Sequence, residues 1–122
     1  MPQLDWSVQI VSTPEGGAGF MPNLGPGSKV GDPLQAQVDD IVTWGNDTED
    51  THQPWPVQAD GITPVPYPYT GLPANYLSDP IEKGGSSTPQ FVVTGNVGDT
   101  IKYCCRFHPD ERGQIAVVAN FA

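Results

Sequence analysis

The sequence predicts an all-β fold: an antiparallel Greek-key β-sandwich or barrel with seven to eight strands. Gly and Pro supply 14 residues each of the 122, so long helices are not expected. Several short segments alternate apolar with polar residues or are rich in β-branched and aromatic residues, which is typical of strands. The length is that of one domain, so we expect a single domain over residues 1–122.

The strand-like segments are spread along the whole chain and are separated by turn-forming residues. They are residues 6–10, 34–38, 41–44, 90–93, 100–105 and 114–119. Between the first two, residues 14–31 are rich in Gly and Pro and predict a long irregular connection, in which Phe20 and Met21 plug the core.

Residues 53–75 contain six prolines with Trp55, Tyr67 and Tyr69 among them. Proline cannot donate to a sheet ladder, so this segment is predicted to be extended chain outside any central strand. We expect it to be a surface flap whose aromatic rings pack on the barrel wall. The alternative interpretation is a docking surface beside a functional site.

The charge balance is strongly acidic, with 5 Lys and Arg against 14 Asp and Glu and a net charge of −9. Such a surface argues against binding to nucleic acid or to anionic membranes and suits a basic protein partner. The sequence has no apolar run long enough to predict a membrane span. It also begins without an export signal: either Met1 replaces one that has been removed or the protein is cytoplasmic, and the sequence does not distinguish the two.

The residues able to do chemistry are concentrated in residues 103–114. Both cysteines lie there, together with one of the two histidines, and Cys105, His108 and Glu111 offer sulfur, nitrogen and oxygen donors. The other histidine, His52, follows the 41–44 strand and a polar loop. A metal ion accepts this mixture of donors. The alternative is that the cysteines are small buried apolar residues, and adjacent cysteines do not predict a disulfide.

Three segments resemble motifs of the cupredoxins, the small blue-copper proteins typified by plastocyanin, azurin and amicyanin. Residues 38–46 resemble the strand that precedes the first ligand histidine, with Asp39 where Gly is usual, and His52 stands eight residues after Trp44. Residues 98–109 resemble the hairpin that carries Cys-x-x-His-Pro. Residues 79–91 resemble, more weakly, the link into that hairpin.

The resemblance implies one copper ion per chain, bound by His52, Cys105 and His108. Cys105 has the family's spacing to His108, whereas Cys104 does not and is predicted to face the other side of the strand, beside Lys102. A thiolate with two imidazoles and a weak axial donor suits both Cu(I) and Cu(II).

The axial position departs from the family. Amicyanin-like loops have Met three residues after the second histidine, whereas this chain has Glu111, and its methionines are Met1 and Met21. We expect Glu111 to be the fourth ligand. The alternative is that Glu111 turns to solvent or pairs with an arginine, and water or the carbonyl of Thr51 takes its place. Gln114 is the less favoured oxygen donor.

The residues that follow the ligands depart as well, since Gln53 and Arg106 stand where the family has Asn and Ser or Thr. Hydrogen bonds between residues behind the ligands tune a metal site strongly. Gln53 is long enough to bridge the two loops in place of Asn, but the rigidity of the site is left open by the sequence.

The function that follows from the resemblance is electron transfer, without catalytic residues and without enzymatic activity. The alternatives are a copper-binding or delivery protein, or a copper site that binds a small molecule. We expect a redox partner protein, for which a basic cytochrome is the candidate, and a periplasmic or extracellular location. A monomer is expected, with a disulfide-linked dimer through Cys104 as the alternative if that thiol is exposed.

Overall fold

The computed structural model describes residues 3–14, 16–22 and 29–119. In these ranges the chain forms eight strands and one turn of 3₁₀-helix at Pro73–Asn75. The strands are β1 (Asp5–Ser12), β2 (Ala18–Pro22), β3 (Leu34–Ala36), β4 (Ile41–Asn46), β5 (Pro54–Pro56), β6 (Phe91–Val92), β7 (Thr100–Cys105) and β8 (Arg112–Val117). The same ranges contain no helix that is long and apolar enough to cross a membrane.

The strands form two four-stranded sheets, in the orders β2-β1-β4-β6 and β3-β8-β7-β5. The predicted all-β sandwich is therefore confirmed. Each sheet also contains one parallel pair, β1 with β4 and β3 with β8, while the other neighbours are antiparallel. The two sheets are mixed because chain-distant strands are placed side by side, which local patterns do not reveal.

Strand β2 lies within residues 14–31, where we predicted irregular chain, so that prediction was wrong. Ala18–Pro22 pairs with β1 from Ser12 back to Val8. Its sequence contains Gly and Pro and lacks clear alternation, so pairing with β1 decides its conformation rather than local propensity. Phe20 is buried, as predicted, and its ring meets Tyr103 edge to face at 4.8 Å between centroids.

A buried hydrogen bond between Trp44 and Tyr103 links the two sheets in the core. The indole Nε1 of Trp44 on β4 donates a hydrogen bond to the Tyr103 hydroxyl on β7 at 3.1 Å, and both side chains are buried. Gly113 on β8 lies under the Tyr103 ring, where an added Cβ would be only 2.4 Å from it. A side chain at position 113 would thus push Tyr103, and with it β7, out of place.

The proline-rich segment covers the outer face of β7. Strand β5 is the edge of its sheet, a position that tolerates proline, and Trp55 is paired with Cys104. The Trp55 side chain is buried, its Nε1 donates to the carbonyl of Val65 at 2.8 Å, and three tyrosine rings lie within 6.2 Å of its own. These are Tyr67, Tyr69 and Tyr76; together with Trp55 we call them the aromatic flap. Trp55 packs on the sheet, as the flap interpretation predicts, whereas Tyr67 is 68% exposed.

The turn before β4 is built around a buried carboxylate. Asp40 accepts hydrogen bonds from the backbone N–H groups of Leu4 and Gln37 and from the indole of Trp6. Burial alone would raise the pKa of Asp40, but these hydrogen bonds lower it below its usual value of 3.8. The preceding residue, Asp39, has φ of 78°, which explains why glycine is the usual residue there in the sequences it resembles.

Replacing Asp40 with Asn should lower the free energy of unfolding at pH 7 by about 2–4 kcal/mol, because an amide cannot accept all three hydrogen bonds. The folded-state pKa of Asp40 is depressed, so its contribution is present above the unfolded-state pKa and is lost as the pH falls through the folded-state pKa. Denaturant unfolding measured from pH 7 to pH 3 should therefore show that the difference in free energy of unfolding between the parent protein and Asp40→Asn becomes smaller in acid. Asp39→Asn, the same change on an exposed neighbour, is the control. A difference that does not depend on pH would contradict this role.

Candidate metal centre

The ends of β4 and β7 and the loop before β8 bring four donor residues together. His52 follows β4, Cys105 ends β7, and His108 and Glu111 lie in the loop between β7 and β8. One ligand atom from each lies within 4.8 Å of all the others. The four residues that the sequence predicted as metal ligands thus form one cluster.

The donor atoms face one another across a small space. The Cys105 sulfur lies 3.5 Å from Nδ1 of His52 and 3.8 Å from Nδ1 of His108. The Oε1 atom of Glu111 lies 3.3 Å and 3.7 Å from the same two nitrogen atoms. Both imidazoles therefore present Nδ1 to the same point as the thiol and the carboxylate, as a single metal ion requires.

The loop that carries His52 is organised by a buried asparagine. Asn46 donates hydrogen bonds to the carbonyls of Asp50 and Ile81, and its own side-chain oxygen accepts from the backbone and hydroxyl of Thr48. The backbone of His52 also exchanges two hydrogen bonds with Ile81. We had not assigned this role to Asn46 from the sequence, since it depends on contacts with a segment 35 residues away.

The loop from Cys105 to Glu111 closes on itself through backbone hydrogen bonds. The N–H of His108 donates to the Cys105 carbonyl, the N–H of Glu111 donates to the His108 carbonyl, and the N–H of Cys105 donates to the Glu111 carbonyl. The loop therefore holds three donor residues by its own backbone, and the spacing Cys-x-x-His-x-x-Glu fixes which side chains meet.

Glu111 points into the cluster rather than toward water. Its side chain is only 10% exposed, and Oε2 accepts a hydrogen bond from the backbone N–H of Ala18 at the start of β2. The other oxygen, Oε1, is buried and has no hydrogen-bond partner in the described part of the protein. The alternative placement in solvent is not what the structure shows, and Arg106 is engaged with Gln53 instead.

Burial shifts the pKa values of His52 and Cys105. It is the main cause of a lowered pKa at His52, although the nearby carboxylate of Glu111 acts in the opposite direction. Burial also raises the pKa of the Cys105 thiol. The cluster therefore contains a neutral imidazole and a neutral thiol at neutral pH, and a metal ion that binds there must displace the thiol proton.

The two imidazoles differ in their access to solvent. The side chain of His52 is 2% exposed, whereas that of His108 is 42% exposed. Phe107, beside His108, is also exposed. His108 is therefore the imidazole at the protein surface.

Strand alternation predicted that Cys104 faces away from Cys105 and left the exposure of its thiol open. Its side chain is fully buried beneath the aromatic flap, and burial raises its pKa to about 11. The burial arises because a segment distant in sequence covers the outer face of β7. A buried, protonated thiol is unreactive, so the folded surface offers no route to a disulfide-linked dimer through Cys104.

No protein-family model matches the sequence, and no curated protein matches it. Several solved structures, in contrast, are similar to this chain. A purple cupredoxin from Nitrosopumilus maritimus is 22% identical, with 91% of this chain and 97% of that chain covered and a TM-score of 0.58. A reduced Cu(I) form of an amicyanin variant is 20% identical, with coverage of 96% and 83% and a TM-score of 0.51. A multicopper oxidase from Campylobacter jejuni is 16% identical, with coverage of 96% and 26% and a TM-score of 0.52.

These similarities define the fold. The protein has the cupredoxin fold, as the sequence motifs predicted, and it carries a cluster of His52, Cys105, His108 and Glu111 in which a metal ion could be held.

Proposed function

We propose that this chain is a mononuclear copper protein of the cupredoxin family that transfers electrons. One copper ion is bound by His52, Cys105, His108 and Glu111. The observation that carries the proposal is the convergence of these four donors, with one buried carboxylate oxygen that has no other partner in the described residues. Buried polar atoms normally have partners, and a metal ion would supply the missing one.

The donor set favours copper over other common metals. A thiolate with two imidazoles is soft enough for Cu(I) and also suits Cu(II), and zinc, which accepts the same donors, has no redox role. When bound, the copper supplies a one-electron couple. The strands and the closed loop fix the donor positions, so the protein has little to rearrange when the charge changes. The similar structures support this assignment, since they include a purple cupredoxin and an amicyanin in its Cu(I) form.

A copper-delivery protein is the alternative, and the carboxylate favours it. Glu111 is a hard, anionic donor that stabilises Cu(II) over Cu(I) and should lower the reduction potential. Slow electron self-exchange would support delivery, whereas fast exchange supports electron transfer. A multicopper enzyme is disfavoured, because the chain has only two histidines, both in this cluster, and it spans 26% of the multicopper oxidase.

Loading the protein with copper should give one copper per chain and an intense sulfur-to-copper absorption in the visible. Cys105→Ala should abolish this absorption, because it removes the sulfur donor. Cys104→Ala should keep it, since Cys104 faces the flap and not the cluster. Metal analysis and a visible spectrum of each variant test the assignment, and equal loss in both would refute it.

The Glu111 series tests the fourth ligand. Glu111→Met should shift the spectrum toward blue and raise the reduction potential, because a neutral thioether replaces an anionic oxygen. Glu111→Gln, which keeps an oxygen but loses the charge, should lie between Met and the parent protein. The measurements are the visible spectrum and protein-film voltammetry. An unchanged spectrum and potential in Glu111→Ala would show that the carboxylate is not a ligand.

We propose a basic redox protein, such as a cytochrome, as partner, docking at His108 in the periplasm or outside the cell. Asp47, Asp50 and Asp110 are exposed, whereas Glu49 is paired with Lys83 at 2.6 Å and contributes less to the negative charge of this surface.

The rate of association with a basic partner should fall as salt is added. Asp110→Asn should lower the rate at low salt. Asp5→Asn, at the far end of β1, should not. An association rate that does not change with ionic strength would exclude electrostatic docking.

A further inference from the structure

Arg106, the residue after Cys105, is held in an unusual environment for a charged side chain. Its guanidinium lies 4.3 Å from the ring centroid of Tyr67 and 4.3 Å from that of Phe107, with Trp55 at 5.6 Å. Arginine stacks on aromatic faces because its planar cation is attracted by their electron density. In the described residues no carboxylate pairs with this cation, so the aromatic rings and one amide hold it in place.

That amide belongs to Gln53, the residue after His52. The Nε group of Arg106 donates to Oε1 of Gln53, and the backbone N–H of Arg106 donates to the Gln53 carbonyl at 2.9 Å. The residues that directly follow two of the candidate ligands are therefore joined twice, once by the backbone and once by side chains. These two hydrogen bonds fix the distance between the segment that carries His52 and the strand that ends at Cys105.

The other end of the Gln53 amide is also fixed. Its Nε2 donates to the carbonyl of Ser78 at 2.8 Å and to the hydroxyl of Tyr76 at 3.3 Å, and that hydroxyl donates to Asp79. Gln53 is only 2% exposed, so both ends of a buried amide are used within the protein. Its side chain is therefore left with one conformation that satisfies every contact.

We propose that Arg106 is a positioning residue and that the aromatic flap is the part of the protein that holds it. The flap fixes the guanidinium, the guanidinium fixes Gln53, and Gln53 fixes the spacing of His52 and Cys105. The inference rests on the proposed copper site for its effect on metal binding, whereas the network itself belongs to the metal-free chain.

The decisive variant is Tyr67→Ala. Tyr67 is 68% exposed, so the loss of its ring should leave the fold intact. The ring contacts Arg106 and Trp55 rather than a donor residue. With Cu(I) loaded, transfer to a chelator should become about 10-fold faster, the lower end of the effect of residues behind metal ligands. The Cu(II) visible band should also broaden and shift. Tyr67→Phe, which keeps the ring, should behave as the parent protein. Leu72→Ala, an equally exposed residue of the same segment, is the control.

Arg106→Lys separates geometry from charge. Lysine keeps the positive charge but has no planar group to lie between the rings and no Nε donor at the same position. It should release Cu(I) as fast as Arg106→Ala does. A rate for Arg106→Lys equal to that of the parent protein would show that only the charge matters and would overturn the proposal.

Hydrogen exchange of the metal-free protein distinguishes this proposal from the function on which it rests. The Arg106 amide, bonded to the Gln53 carbonyl, should exchange faster in Tyr67→Ala than in the parent protein and at the parent rate in Tyr67→Phe. Faster exchange in a protein that fails to bind copper would leave the positioning network standing and reject the copper site. Unchanged exchange, or unchanged Cu(I) release in a protein that does bind copper, would reject the network.

Discussion

A buried carboxylate oxygen without a full set of partners costs free energy, and Oε1 of Glu111 is buried with only Nδ1 of His52 and of His108 near it, at 3.3 and 3.7 Å. The backbone of Ala18 holds the second oxygen of the same carboxylate and thereby aims the first at Nδ1 of His52 and His108. The backbone hydrogen bonds of the 105–111 loop also hold Glu111 in this position. A cation bound among the four donors resolves the cost, and a buried thiol with a raised pKa becomes a strong ligand once its proton is displaced.

The proline-rich segment connects the covering of the sandwich to this cluster. Trp55 and the tyrosines bury the outer face of β7, so Cys104 is shielded while Cys105 on the opposite face joins the donors. The same rings hold Arg106, and Arg106 reaches the residue after His52. One segment thus covers one side of β7, and on the other side we infer that it limits the movement of the candidate ligands.

Sequence patterns predicted the strands whose alternation or β-branched content is clear, β1, β4 and β7 among them, and motif spacing brought His52, Cys105 and His108 together. Strand β2 was missed because its pairing with β1, not its composition, makes it a strand. The exposure of Cys104 was left open because Trp55, which covers it, belongs to another segment. The inward direction of Glu111 was expected from the sequence, but the contact that fixes it was not, because the N–H of Ala18 lies 93 residues away.

We propose that one copper ion is held by all four donors, including the carboxylate. A crystal structure of the copper-loaded protein, with anomalous scattering measured at the copper edge, would locate this ion. We expect a single copper peak bonded to the Cys105 sulfur, to Nδ1 of His52 and His108, and to Oε1 of Glu111. A copper ion bound elsewhere, or a Glu111 side chain turned away from it, would show that these four residues are not the copper site.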